Sequence, residues 1–328
     1  GIEHIDAVAT SAIRDATNAD AFLSRAALPV RVASTVDEAR FGYLAAVNST
    51  TLSDGTMLDL GGGSLQLVRV TSRHDTEHGS WPLGAVRMTE RFRLGGAELP
   101  TAKRLRKVRD HVRATLEEAA WVPRSGPRIV GIGGTVRNLA VAAQIAQGQP
   151  VELGVQGATV PREVLGMLID RLAALPASRR ASVPGIKPAR ADLILAGALV
   201  VDAVLEHGGI DQLEVTAAGQ REGVLFTWLQ DGEPPLFEDV RRTSVLNLAA
   251  HYDVEPHHTA HVAELALGLF DDLAALGLHP GDAVERELLW AACVLHDIGM
   301  AIDYDDHHKH SRYLVEHSGL PGFSQREV

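Results

Sequence analysis

One cysteine, Cys293, occurs in 328 residues. An internal disulfide framework is therefore excluded, and this cysteine usage fits a reducing compartment such as the cytoplasm. Long apolar runs are also missing. No stretch reaches the roughly 18 uncharged residues of a membrane-spanning helix, so no membrane partner is expected. There is no basic-then-apolar leader at the first residue given. Positive charge is not in surplus: 31 Lys and Arg stand against 42 Asp and Glu, a net charge of −11. The basic residues are scattered, which disfavours nucleic acid as a main partner. An anionic ligand would have to be held locally, by backbone amides, a few arginines and a metal.

What is present suffices for two or more cores. Hydrophobic residues make up 45% of the chain, and its length suggests about two domains. The sequence opens at Gly1 in the approach to a strand and stops at Val328 without a helix cap. Both ends read as cut, so a piece of a longer protein is expected.

The most informative stretch is Leu58-Asp59-Leu60-Gly61-Gly62-Gly63-Ser64-Leu65-Gln66-Leu67. It reads as strand, tight turn, strand. Three glycines leave backbone amides uncovered, and such amides turned inward suit a phosphate. Asp59 stands where a carboxylate can hold Mg²⁺ against that phosphate. A plain glycine hairpin is the bland alternative. Arg128-Ile129-Val130-Gly131-Ile132-Gly133-Gly134-Thr135 repeats the design about seventy residues later and opens a helix, whose N-terminus favours anions. Two such turns suggest a clamp on one phosphate chain. The rival, a dinucleotide fingerprint, lacks its glycine spacing and its acid.

Upstream, Arg14 lies near a helix start and is either an anion contact or a solvated arginine. Thr35 and Glu38 fit a capping box, which gives Glu38 a structural explanation beside the functional one of a base for water. The basic run Lys103–Arg109 reads as a solvated helix face. Asp231-Gly232-Glu233-Pro234-Pro235 is the best linker. Beyond it, ten of the 15 histidines lie between His251 and His317 and the periodicity turns helical. His261 on a helix with His296-Asp297 after Leu288–Leu295 is a donor set for a divalent metal, although histidines at helix ends are common without one.

Taken in order, Val8–Ala16, Asp37-Glu38-Ala39-Arg40, Leu58–Ser64, Pro82–Arg87, Gly131–Thr135, Arg190-Ala191-Asp192 and Arg221-Glu222-Gly223 resemble the exopolyphosphatase / guanosine pentaphosphate phosphatase (Ppx/GppA) family over about residues 5–230. Arg312–Glu327, with Leu320-Pro321-Gly322-Phe323-Ser324-Gln325, resembles the HD-type helical domain that follows the catalytic part in many members. The resemblance implies an α/β, actin/hexokinase-like (ASKHA, ribonuclease H-like) two-lobed fold followed by an all-helical, incomplete HD-like domain. The expected division is 1–51 for the remainder of the N-terminal lobe, 52–232 for the second lobe and 236–328 for the helical domain. It further implies a hydrolase of the stringent response that releases the terminal phosphate of inorganic polyphosphate or converts pppGpp to ppGpp with Mg²⁺. A homodimer is an option that the family leaves open.

Position by position, Glu38 matches the catalytic carboxylate and a metal neighbour, and Asp59 the metal-organising acid. Gly61, Gly62, Gly63 and Ser64 match one phosphate loop, Gly133, Gly134 and Thr135 the other, and Arg14 a phosphate-contacting arginine. Two departures stand out. The family's first phosphate turn is absent, and Gln66 occupies a usually acidic position where an amide adds no negative charge to a metal. Two other readings follow: a non-catalytic sensor of (p)ppGpp or polyphosphate, and a metal-dependent HD-type phosphohydrolase at His261, His296 and Asp297.

Overall fold

A computed structural model describes residues 5–328. They form two compact units. One comprises residues 5–151 with Ala158–Leu236, the other Glu152–Gly157 with Phe237–Val328.

The first unit is α/β. It begins with β1 (Ala7–Ala9), α1 (Ser11–Arg14), α2 (Ala19–Leu23), β2 (Val30–Val32) and α3 (Thr35–Val47), with β1 and β2 paired in parallel. The hairpin strands β3 (Gly55–Leu60), β4 (Leu65–Thr71) and β5 (His74–Trp81) lead into α4 (Ala85–Phe92) and α5 (Ala102–Leu116). There follow β6 (Ile129–Ile132), α6 (Gly134–Ala146), β7 (Ala158–Pro161), α7 (Arg162–Ala173), α8 (Ile194–Gly208), β8 (Gln212–Val215) and α9 (Gln220–Leu229).

The main sheet is mixed, in the order β5-β4-β3-β6-β8-β7. β3, β4 and β5 are antiparallel neighbours, whereas β3, β6 and β8 run parallel. Every residue of β3 is buried, as expected of a strand covered on both faces. Its hydrophobic run ends at Asp59-Leu60, so the chain delivers an acid at the carboxyl end of the strand where the sheet changes from antiparallel to parallel. Ligands of open α/β sheets bind at such ends.

α3 is buried along most of its length, and Tyr43, Leu44 and Val47 join Met57, Val68 and Ile132 in one core. Its start differs from the sequence expectation. Ser34 is the N-cap, and Asp37 completes the capping box. The Asp37 N–H donates to Ser34 Oγ at 3.0 Å, and the Ser34 N–H donates to Asp37 Oδ2 at 2.9 Å. Glu38 is thereby relieved of any capping duty. Helix α8 starts at Ile194, after a 3₁₀ turn at Pro188–Arg190. The expected linker is fastened at two points: Glu233 pairs with Arg40 at 2.8 Å, and Pro235 O accepts from Asn48 Nδ2 at 2.9 Å.

The second unit is helical: α10 (Val240–His251), α11 (Pro256–Ala275), α12 (Ala283–Leu295) and α13 (His307–Ser318). Val245, Val294, Leu295, Ile298, Leu320 and Phe323 form its core. No described helix is long and apolar enough to cross a membrane.

Candidate active site

Gly61–Ser64 connect β3 to β4. The Gly61 N–H donates to Ser64 O at 3.0 Å and closes the turn. The carbonyls of Gly61 and Gly62 accept from the Ala85 and Val86 amides at 2.9 Å each, and Gly63 O accepts from Gly84 N at 3.3 Å. These donors are amides at the start of α4, which have no partner inside the helix. In a trans peptide the carbonyl and the following N–H point opposite ways. The amides of Gly62, Gly63 and Ser64 therefore face away from α4. Gly61, Gly62 and Ser64 line a cleft of about 260 Å³. Gly84 makes this possible: a Cβ there would lie 2.3 Å from Gly62 O and from the Gly63 carbonyl carbon.

The second turn closes the cleft opposite. Gly133 has φ of +97°, and a Cβ on it would stand 3.1 Å from Asp59 Oδ1 and Leu60 O. The glycine so lets the start of α6 approach Asp59. Gly134 does the same for Arg190, whose Nη2 lies 2.6 Å from where a Cβ would be. Gly133 and Gly134 line the cleft at the positive end of α6. Thr135 does not line it. Its γ-methyl packs toward Gly197 of α8, and its side chain is buried. Gly63 faces Ser11 rather than the cavity.

Two carboxylates and an amide meet at the floor. Glu38 is 2% exposed, Asp59 6% and Gln66 1%. Asp59 and Gln66 are direct cross-strand partners, so their spacing across the turn, not chance, brings them together. Gln66 Nε2 donates to Glu38 Oε2 at 2.5 Å, while Gln66 Oε1 has no hydrogen-bond partner among the described residues. Arg14 lies on the other side. Its Nη1 donates to Glu38 Oε1 at 2.6 Å and to Ala33 O at 2.8 Å. In this structure Arg14 therefore balances the buried carboxylate and does not line the cleft. Gln220 Nε2 donates to Asp59 Oδ2 at 2.8 Å. Burial pushes the Asp59 carboxyl up to about 6. The Gln220 hydrogen bond and, last, Arg137 oppose the rise, and the Glu38 charge adds to it.

The cleft also holds residues that sequence reasoning did not assign to it: Arg137, Arg190, Gln220 and Arg221. Two of the arginines belong to motifs already noted for their order. In Arg221-Glu222-Gly223 each residue has its own reason. Arg221 lines the cleft, Glu222 Oε2 accepts from the Gly219 N–H at 2.7 Å to cap α9, and Gly223 lets α9 cross α3 closely. A Cβ on Gly223 would fall 1.9 Å from Phe41 O. Burial lowers the Arg137 pKa; the residue lies one turn into α6 on the face that Gly133 exposes.

In the helical unit, His296 and Asp297 adjoin as expected, with Nε2 and Oδ2 3.2 Å apart. The third member is His258, not His261. His258 Nε2 stands 3.5 Å from Asp297 Oδ2. His258 lies in the first turn of α11, one turn nearer the helix start than His261, and it is the one that meets Asp297.

Residues 1–231 match the Ppx/GppA phosphatase family, and residues 240–328 match Ppx/GppA phosphatase domain III. The chain belongs to the Ppx/GppA phosphatase family. It is similar to the Ppx/GppA family member of Aquifex aeolicus, at 30% identity over 70% of this chain and 74% of that one, with a TM-score of 0.60. A further structure of the Aquifex aeolicus PPX-GPPA enzyme gives 30% identity, 68% and 75% coverage and a TM-score of 0.59. An exopolyphosphatase from Cytophaga hutchinsonii shares the fold at 20% identity, with 70% and 75% coverage and a TM-score of 0.62. Membership of the Ppx/GppA family supports phosphoanhydride hydrolase activity.

Proposed function

We propose that this Ppx/GppA chain releases the terminal phosphate of inorganic polyphosphate or of pppGpp in the cleft between the two glycine turns. The observation that carries the proposal is the meeting of two buried carboxylates, Glu38 and Asp59, with inward amides and three arginines in one cavity. Amides and arginines are the groups that hold phosphate oxygens, and carboxylates are those that orient water and cations.

Mg²⁺ fits this floor. Asp59, Glu38 and the unpartnered Gln66 Oε1 are all oxygen donors, the set that a small hard cation takes. When bound, Mg²⁺ would supply charge neutralisation at the phosphate oxygens. The side chains do the rest. Gly62 and Ser64 amides and Arg137, Arg190 and Arg221 receive the oxygens of the terminal phosphoryl group and of the group it leaves. Arg14 and Gln66 fix the Glu38 carboxylate from opposite oxygens. An ionised carboxylate has about four acceptor sites, so Glu38 can keep both partners and still accept a proton from water. That water attacks phosphorus, the anhydride P–O bond breaks, and the leaving oxygen carries its charge into the arginine cluster.

The test is Glu38→Gln in the full chain. Phosphate release from long-chain polyphosphate and from pppGpp should fall by about 10²–10⁴-fold while binding of the same ligand persists. Undiminished release by the variant overturns the assignment. Binding without release by the wild type would make the cleft a sensor.

We infer in addition a two-lobed ASKHA arrangement, with residues up to 51 as the remainder of one lobe and 52–232 as the other. The mixed order of the main sheet supports it. Residues 236–328 are inferred to be HD-like, on the strength of adjacent His296 and Asp297 at the end of α12. A cytoplasmic homodimer acting in the stringent response completes the reading.

A further inference from the structure

We propose that Gln220 is a positioning residue of the cleft: its side-chain amide holds one oxygen of Asp59 and so presents the other to the ligands of the cleft. The inference rests on the phosphate-releasing role of the cleft, with Asp59 as a cation ligand. Gln220 Nε2 donates to Asp59 Oδ2 at 2.8 Å. Oδ1 takes no hydrogen bond among the described residues. It lies on the side of Gly133, 3.1 Å from where a Cβ on that glycine would stand, and Asp59, Gly133 and Gln220 all line the cleft. The terminal torsion of an aspartate is broad and roughly two-fold. Without a partner on Oδ2 the carboxylate would turn, and neither oxygen would have a fixed place.

An amide suits this task. It donates a hydrogen bond and brings no charge. A guanidinium there would neutralise the carboxylate and compete with a cation for it, and an apolar side chain would leave both oxygens loose. The floor uses the same device a second time, where Gln66 Nε2 donates to Glu38 Oε2. Each of the two carboxylates thus has one oxygen engaged by a neutral amide.

Gln220 is itself held in place. It opens α9, whose N-cap Gly219 donates its N–H to Glu222 Oε2 at 2.7 Å. Gly223, three residues on, lets α9 lie against the Phe41 carbonyl of α3, the helix that also carries Glu38. The glutamine therefore reaches Asp59 from a backbone fixed against the carrier of the other carboxylate.

The experiment is a calorimetric titration of the full chain with Mg²⁺, in wild type and Gln220→Met, with the Mg²⁺ dependence of phosphate release from polyphosphate as a second measurement. Mg²⁺ is the probe because oxygen donors suit it and imidazoles do not, so the histidines of the helical unit do not contribute. Met keeps the length of the side chain, removes the donor and is a good helix former. Mg²⁺ affinity should fall by about tenfold or more, the scale on which partners of metal ligands act. The half-saturating Mg²⁺ concentration for release should rise by the same factor, and saturating Mg²⁺ should recover most of the wild-type rate. A merely structural loss would lower release at every Mg²⁺ concentration. Leu225→Ala, on the exposed side of α9, should change neither measurement. Equal Mg²⁺ affinity in wild type and Gln220→Met overturns the proposal and leaves the role of Glu38 standing. Equal weakening by Leu225→Ala also overturns it, because the effect would then lie in the packing of α9. A wild type that binds no Mg²⁺ would overturn it together with the cation role of Asp59.

Discussion

Asp59→Asn should make the α/β unit more stable while it disables the cleft. The carboxyl is buried, and in the folded chain its pKa rises from 3.8 to about 6, mainly through loss of water. Between those two values the folded state holds a proton that the unfolded chain has released. Stability then falls as pH rises, because the slope follows the difference in protons bound. Each pH unit is worth about 1.4 kcal/mol, so the ionised Asp59 costs roughly 3 kcal/mol by pH 7. An amide in its place carries no charge, and its oxygen still accepts from Gln220 Nε2. For a unit of 150–250 residues, about 2–4 °C of Tm accompanies each kcal/mol. The variant should therefore melt roughly 6–12 °C higher than wild type at pH 7 in the presence of a chelator. The advantage should shrink as pH falls through 6 and vanish near 4. Melting curves between pH 4 and 8 measure this. A variant no more stable than wild type at pH 7 would refute the account of Asp59 as a strained, desolvated charge. So would a gain that persists unchanged at pH 4. Adding Mg²⁺ should raise the Tm of wild type and leave that of Asp59→Asn unmoved.

Gly223→Ala sets a methyl 1.9 Å from a backbone oxygen of α3, where no side chain can yield; a loss of at least about 1–3 kcal/mol is expected, read as a lowered Tm. An unshifted melt would mean that α3 and α9 do not cross as closely as described. Arg190→Ala should lower kcat/KM for polyphosphate by roughly ten- to a hundredfold, the range of a hydrogen bond to a charged group. Arg190→Lys should restore little of it, since a compact ammonium cannot lie flat over Gly134. Equal kinetics in wild type and Arg190→Ala would remove that arginine from the phosphate site. Gln66→Glu adds a second buried carboxylate beside Glu38. The half-saturating Mg²⁺ concentration should fall and the metal-free Tm should drop; a Mg²⁺ requirement that does not change would place Gln66 outside the cation's reach.

The cleft was legible where chemistry and chain order coincide. Asp59 and the glycines after it announce a strand end and an uncovered turn, and the register of β3 against β4 then puts Gln66 opposite Asp59. Other parts depend on distance in space, which residue spacing does not encode. Arg137, Arg190 and Arg221 come from α6, a 3₁₀ turn and α9, and nothing in their local sequence says that they share a wall. The 3₁₀ turn at Pro188–Arg190 that carries Arg190 is hidden in sequence by the alanine- and leucine-rich run beside it, which favours helix by propensity alone. Thr135 went the other way: a hydroxyl after two glycines suggests a phosphate contact, yet packing against Gly197 claims the side chain. His258 and His261 are equivalent in type, and only the position where α11 begins separates them. The capping residue of α3 was misread by one position. Ser34 and Asp37 satisfy the same pattern as Thr35 and Glu38, and the local signal cannot distinguish two overlapping boxes.

That shift of one residue changes the standing of Glu38. A capping glutamate would sit at the surface with its charge spent on the backbone. Glu38 is instead buried, with one oxygen on Arg14 and the other on Gln66. A buried carboxylate without partners would be costly, and Arg14 with the Gln66 amide offsets that cost. The amide at position 66 then has a definite consequence. A carboxylate there would repel Glu38 unless a cation lay between them, whereas Gln66 donates to Glu38 and keeps its own oxygen buried and unpartnered among the described residues. The floor is thus assembled before any cation arrives and carries one negative charge fewer when it does. Tighter assembly without metal and weaker hold on metal should therefore go together, and Gln66→Glu should reverse both at once.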